Sequence, residues 1–109
     1  MRKFGSGAIR DSDDSKENYI ESIPWLALRR YAAYMKSKEK VYGKGNFKKG
    51  IPIESYEESA LRHVQKYISN KYEGGEFELD QDHLSAVLFN IFGIMFEEEK
   101  INLKSKKEV

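Results

Sequence analysis

The stretch DHLSAVLFNIFGIMFEE, running from Asp82 to Glu98, decides how this chain folds. On a helical wheel of about 100° per residue, Leu84, Val87, Leu88, Phe89, Ile91, Phe92, Ile94, Met95 and Phe96 cover most of the circumference. A helix apolar on so many sides needs neighbours on more than one of them, so it belongs at the centre of the fold. The narrow arc that remains collects Asp82, His83, Asn90 and Glu97 with the small residues Ala86 and Gly93. Buried polar groups are costly without partners. This seam must therefore face a polar surface, a water-filled cleft or a ligand. For any one residue the plainer expectation is a helix contact, with Ala86 and Gly93 permitting close approach. For the seam as a whole, the expectation is a site.

Two further helices are expected upstream. Ser22 can cap one that holds Pro24 in its first turn; Trp25, Leu28, Tyr31, Ala32 and Met35 then share a face, and the helix should run to about Lys38. The second spans about Glu54 to Asn70, with Tyr56, Ala60, Leu61, Val64, Tyr67 and Ile68 as its buried arc. Glu57 projects into that arc, His63 sits on its edge, and Arg62 and Lys66 lie just beyond. Between the helices, Lys38 to Ile53 carries three glycines and Pro52 among Lys40, Lys44, Lys48 and Lys49, with Tyr42 and Phe47 interleaved. Such a loop can hold phosphates and stack on a base, although Phe47 serves equally well as a core plug. Lys71 to Gln81 is a polar connection.

Residues 1–21 form a polar arm in which Gly5, Gly7 and Arg10 beside Asp11 can turn amides and a guanidinium towards an anion. Residues 100–109 form a charged tail expected to fray. The resulting fold class is all-α: one domain over 1–109, a small bundle of about three principal helices with a Gly/Lys-rich loop and a polar N-terminal arm.

Composition narrows the partners. The chain has 109 residues, 19 Lys plus Arg against 18 Asp plus Glu, a formal charge of +1 and no cysteine. That balance gives no field for a nucleic-acid polymer, and the absence of cysteine removes disulfide and thiolate chemistry. The apolar run from Leu84 to Phe96 is shorter than the roughly 20 residues a membrane span needs, and the first residues lack the apolar core of a signal peptide. A soluble cytoplasmic protein without membrane or nucleic-acid partners is expected. A chain this small with so apolar a helix is also expected to cover it with a copy of itself, as a homo-oligomer.

A metal-dependent hydrolase needs several ligands converging on Mg²⁺. Glu54, Glu57 and Asp82 are the candidates for that reading, with His63 near a leaving phosphate. The central helix lacks a matching acidic pair, because Asp82 and Glu97 lie roughly 22 Å apart along its axis. Phosphate capture, which needs no cofactor, is better supported: Arg10, Lys44, Lys48, Lys49, Arg62 and His63 fall in or beside segments that should rim the polar seam.

The order of motifs carries a resemblance. Arg2-Lys3-Phe4, Gly7-Ala8-Ile9-Arg10-Asp11, Lys16, Tyr19, Pro24, Tyr42-Gly43, Asn46, Lys49-Gly50-Ile51-Pro52, Arg62-His63, Asp82-His83-Leu84 and Asn90 together resemble the phage dATP/dGTP diphosphohydrolase amino-terminal domain family, similar in spirit to the MazG-like pyrophosphohydrolases. The resemblance spans nearly the whole chain. It implies a phage-encoded α-helical protein acting on purine deoxynucleotides, and carries functional roles onto Arg10, Asp11, Asn46, Lys49, Arg62, His63, His83 and Asn90. The departure the resemblance implies is Ala86, where many relatives hold a second histidine or another polar residue; that loss weakens a metal centre more than a phosphate pocket. The expected function is capture of a purine nucleotide or related phosphorylated signal, sequestering a host immune signal uncleaved. Arg10, Lys49, Arg62 and His63 would bind phosphate, His83 and Asn90 would read base or ribose, and Tyr42, Phe47 or Trp25 would stack. The alternatives are Mg²⁺-dependent cleavage of dATP or dGTP to the monophosphate and a purely structural homo-oligomeric module.

Overall fold

Asp82 starts the helix on which the others pack. Its carboxylate accepts hydrogen bonds from the backbone N–H of Ser85 at 3.2 Å and from Ser85 Oγ at 2.7 Å, satisfying donors that a helix leaves open in its first turn. The same carboxylate receives a two-pronged bond from Arg30, at 2.6 and 2.7 Å. The computed structural model describes residues 2–10 and 16–107. In chain order it holds a minimal antiparallel pairing of β1 (Arg2–Lys3) with β2 (Ile9–Arg10), then α1 (Trp25–Tyr42), a 3₁₀ turn over Asn46–Lys49, α2 (Ile53–Tyr72) and α3 (His83–Lys107). Three helices in a small bundle make up the expected all-α class. Among the described residues, no helix is long and apolar enough to cross a membrane.

The expected helices are present with shifted ends. Ser22 does not cap α1: Pro24 occupies the cap position without a side-chain bond, and the N–H of Ser22 goes to the carbonyl of Asn18. At its other end α1 runs four residues past Lys38, until Gly43 at φ +81° turns the chain out and its N–H closes on the Glu39 carbonyl. Tyr42 is thus helical. α3 continues through the basic segment after Lys100 as far as Lys107, where Lys104, Lys106 and Lys107 complement its carboxyl-terminal dipole.

α2 and α3 form an antiparallel hairpin, and α1 packs on α3 while scarcely touching α2. The hairpin seam is where sequence and structure differ most. The residues of α3 that α2 covers are the polar and small ones: His83, Ala86, Asn90 and Gly93 are buried, opposite Tyr56 and Ala60 of α2. A Cβ on Gly93 would run into the Tyr56 ring, so the helices meet there as closely as only glycine allows. Leu84, Ile91, Phe92 and Met95, expected in the core, are instead 41–54 % exposed. Leu61, expected in the buried arc of α2, is 73 % exposed, and Glu57 is exposed as well. α1 is held by the Arg30–Asp82 pair and by Tyr31 edge-on against Phe92 at 5.4 Å, and none of its residues is fully buried.

Candidate functional site

Because α1 and α2 both lean on α3 but not on each other, the gap between them is a cleft of about 530 Å³. Its floor is α3, through Ala86, Phe89 and Asn90. One wall is α1, with Tyr34, Lys38 and Tyr42 recurring every four residues beside Met35 and Glu39. The other is α2, with Ser59, Arg62, His63 and Lys66. The segment Gly45 to Phe47 closes one end, and Glu78 with Gln81 closes the other.

His63 is held by an unusual partner. Its Nδ1 lies 2.9 Å from Nδ1 of His83, and Nε2 of His83 lies 3.1 and 3.0 Å from the carbonyl oxygens of Phe77 and Glu78. Carbonyls only accept, so Nε2 of His83 carries a proton; with one proton on that ring its Nδ1 is an acceptor, and Nδ1 of His63 donates to it. Neutral His63 is left with a bare lone pair on Nε2. Burial, the neighbouring His83 and the Lys66 and Arg62 charges lower the pKa of His63, outweighing the pull of Glu78. The imidazole in the cleft wall is thus a neutral acceptor at pH 7. The carbonyls that fix His83 are presented by a loop tied to α2: the Asn70 side chain donates to the Phe77 carbonyl and accepts from the Phe77 N–H, both at 2.8 Å. Glu78 takes a left-handed φ of 44°, uncommon for a residue with a side chain.

The cleft is mixed in charge with a cationic excess. Lys66 pairs with Glu78 at 2.8 Å, Arg62 reaches out of the cleft to Glu58 at 3.1 Å, and Lys38 lies over the Tyr34 ring at 5.4 Å. Burial pushes the Tyr34 hydroxyl pKa up. The guanidinium of Arg30, outside this cleft, pulls the Asp82 carboxyl down to about 2.

Of the residues expected to bind a ligand, Tyr42, Asn46, Phe47, Arg62, His63 and Asn90 line this one cleft. Phe47 does both things expected of it, lining the cleft while its ring packs edge-on against Phe96 at 5.2 Å. Asn90 is almost fully buried in the floor, with Nδ2 donating to the Ala86 carbonyl at 2.8 Å and to Ser59 Oγ at 3.1 Å. His83 is buried behind His63 and orients it rather than lining the cleft. Lys49 is exposed on the 3₁₀ turn, outside the lining. Asp11 lies outside the described residues, as does the side chain of Arg10.

The proposed metal ligands are not brought together. Glu54 and Glu57 are exposed on α2, turned away from the cleft side by their helical positions, while Asp82 is occupied by Arg30 and by its own helix. Among the described residues no three His, Cys, Asp or Glu side chains converge as a metal site requires, and the donor set does not fit Mg²⁺. The sequence reading passed over Tyr34, Lys38, Ser59 and Gln81. The first two had a signal, the four-residue spacing of Tyr34, Lys38 and Tyr42, which is visible only once α1 extends to Tyr42.

A family model described as dATP/dGTP diphosphohydrolase, N-terminal, matches residues 7–106. No curated protein and no solved structure matches the chain.

Proposed function

Since the chain belongs to the dATP/dGTP diphosphohydrolase N-terminal domain family, we propose that its cleft captures a purine nucleotide or a related phosphorylated signalling nucleotide and releases it intact. The observation that carries this reading is the convergence of Arg62, Lys38 and Lys66 with Tyr34, Tyr42 and Phe47 around about 530 Å³, a volume in the range of small-molecule sites. Arg62 swings from Glu58 to a phosphate, to which a guanidinium donates two parallel bonds. Lys38 adds charge, and Lys49, two residues beyond Phe47, supplies a further cation at the rim. An aromatic ring from Tyr42 or Phe47 stacks on the base. His63 Nε2, an acceptor, takes a hydrogen bond from an amino or hydroxyl group of the ligand, so its role moves from phosphate to base or ribose. In a phage such a protein would sequester a host immune signal.

The family description favours a second reading, hydrolysis of dATP or dGTP, in which the lone pair of His63 accepts a proton from water. One experiment separates the two. The protein is incubated with dATP, dGTP, cyclic dinucleotides or ADP-ribose, with and without Mg²⁺ or Mn²⁺, then denatured and the solution chromatographed. Capture predicts intact ligand and, at a hundredfold Kd, about 2.7 kcal/mol of added stability. Pyrophosphate release replaces capture with hydrolysis. A melting temperature unmoved by every nucleotide overturns both.

A further inference from the structure

We propose that Asn70, which lies outside the cleft, is the positioning residue that chooses which nitrogen of His63 keeps its lone pair, and that the lone pair so placed selects a ligand whose base carries an exocyclic amino group. The second half rests on the capture reading above; the first does not.

Asn70 sits in the last turn of α2 and holds Phe77 at two points. Its Nδ2 donates to the Phe77 carbonyl and its Oδ1 accepts from the Phe77 N–H, both at 2.8 Å. One strand offers another the same pairing, and here it fixes the plane of the Phe77 backbone against the end of α2. The chain between them is tightly wound: the N–H groups of Glu73 and Gly75 both close on the Ser69 carbonyl at 3.0 Å, and a Cβ on Gly75 would fall 2.6 Å from Ser69 Oγ. The Phe77 carbonyl is thereby turned, beside that of Glu78, onto Nε2 of His83 at 3.1 and 3.0 Å. The Glu78 carbonyl has its own anchor in the Gln81 N–H, at 3.0 Å; the Phe77 carbonyl has Asn70.

The two imidazoles meet Nδ1 to Nδ1 at 2.9 Å, so one proton must lie between them. With two acceptors at its Nε2, His83 keeps its own proton there and receives the shared one from His63, whose Nε2 is left bare. If the Phe77 carbonyl turns away, that order loses its cause. The reverse order, with Nδ1 of His83 donating and His63 protonated on Nε2, satisfies the same contact. Asn70 therefore decides, through the loop, whether the cleft wall accepts or donates.

For most groups of a nucleotide this choice favours nothing. A hydroxyl donates or accepts by rotating, and a phosphate oxygen, which accepts, is served better by the reverse order. The amino group of a base only donates. It is therefore the group that a fixed lone pair on His63 recognises, and its absence leaves that lone pair unmatched.

The chain has two histidines, so the ring nitrogens are readily assigned by proton–nitrogen NMR correlation. In ligand-free protein, at a pH above both ring titrations, the expected spectrum shows His63 protonated on Nδ1 and His83 on Nε2. Asn70→Asp keeps the side-chain shape but sets a carboxylate oxygen against the Phe77 carbonyl; His63 should then carry its proton on Nε2, with helix content unchanged by circular dichroism. Calorimetry compares dATP with the same triphosphate lacking only the exocyclic amino group. Wild type should prefer dATP by roughly fivefold, the worth of one neutral hydrogen bond, and Asn70→Asp should show no preference. A wild-type His63 protonated on Nε2, or an Asn70→Asp protein with the wild-type ring spectrum, overturns the role of Asn70. Equal wild-type affinity for the two triphosphates overturns the selection of an amino group. If neither binds, the capture reading fails and the selection falls with it, while the ligand-free spectra still decide on Asn70. Should Asn70→Asp fail to fold, Asn70→Ala, which removes the anchor without adding charge, takes its place.

Discussion

The two flanks of the α2–α3 hairpin are made by the same pair of helices and differ in almost every physical respect. On the cleft flank, Arg62, His63, Lys66 and Asn90 each have a partner, and the polar groups are arranged in depth from the Phe77 and Glu78 carbonyls through His83 to His63. On the other, Leu61, Val64, Ile68, Leu84, Ile91 and Met95 are each partly exposed to solvent. The difference shows that polarity alone did not decide which side of each helix was buried. Close approach did: Gly93 and Ala86 let Tyr56 and Ala60 come near, and the large apolar residues were left to the outside.

The largest effect should come from the contact that both flanks share. Gly93→Ala places a methyl in the Tyr56 ring, which is buried and has no free direction in which to move; urea unfolding should show a loss of about 3 kcal/mol, the upper end for overpacking. A loss below about 1 kcal/mol would mean the hairpin is looser than described. Next, Arg62→Ala should leave stability nearly unchanged, since its pair with Glu58 is half exposed. It should weaken nucleotide binding by about 1.5–3 kcal/mol, the worth of a hydrogen bond to a charged group, read by calorimetry. Equal affinity in the variant would remove the cleft flank from ligand binding.

Smaller effects follow from titration. The folded pKa of Asp82 is depressed to about 2 from 3.8, so its contribution is complete above the unfolded value and is lost as pH falls through the folded one. Arg30→Ala should cost about 1 kcal/mol at neutral pH, discounted because Arg30 is more than half exposed, and should flatten the acid limb between pH 4 and 2. The smallest is His63, whose folded pKa lies below 6.5. Its contribution is present above pH 6.5 and declines as pH falls through the lowered value, because the unfolded chain takes up the proton first. His63→Gln should abolish that slope near pH 6 while leaving the acid limb of Asp82 intact.

Much of the fold could be read from particular residues. The near-continuous apolar wheel from Leu84 to Phe96 located the helix that touches both others, and Ala86 and Gly93 signalled a close helix contact. Arg62, His63, Asn46, Phe47 and Tyr42 were picked out from residue type and neighbours, and the cleft joins them across α1, the 3₁₀ turn and α2. The interior was less legible. Periodicity gives a stripe's width and not its partner, so His83 passed for a ligand reader when both its nitrogens belong to His63 and two backbone carbonyls. The carboxylate of Asp82 passed for a metal ligand because neither Arg30, 52 residues earlier, nor a helix cap on Ser85 announces itself in composition.

By itself the sequence determined three helices, the close contact at Gly93, and the residue types that suit a phosphorylated ligand, because spacing and side-chain chemistry are local properties. Only the tertiary structure decided which face of α3 would be covered, that α1 and α2 would stand apart over it, and which histidine would keep a lone pair for the cleft. Those outcomes depend on distances between residues far apart in the chain, and such distances are fixed when the helices pack.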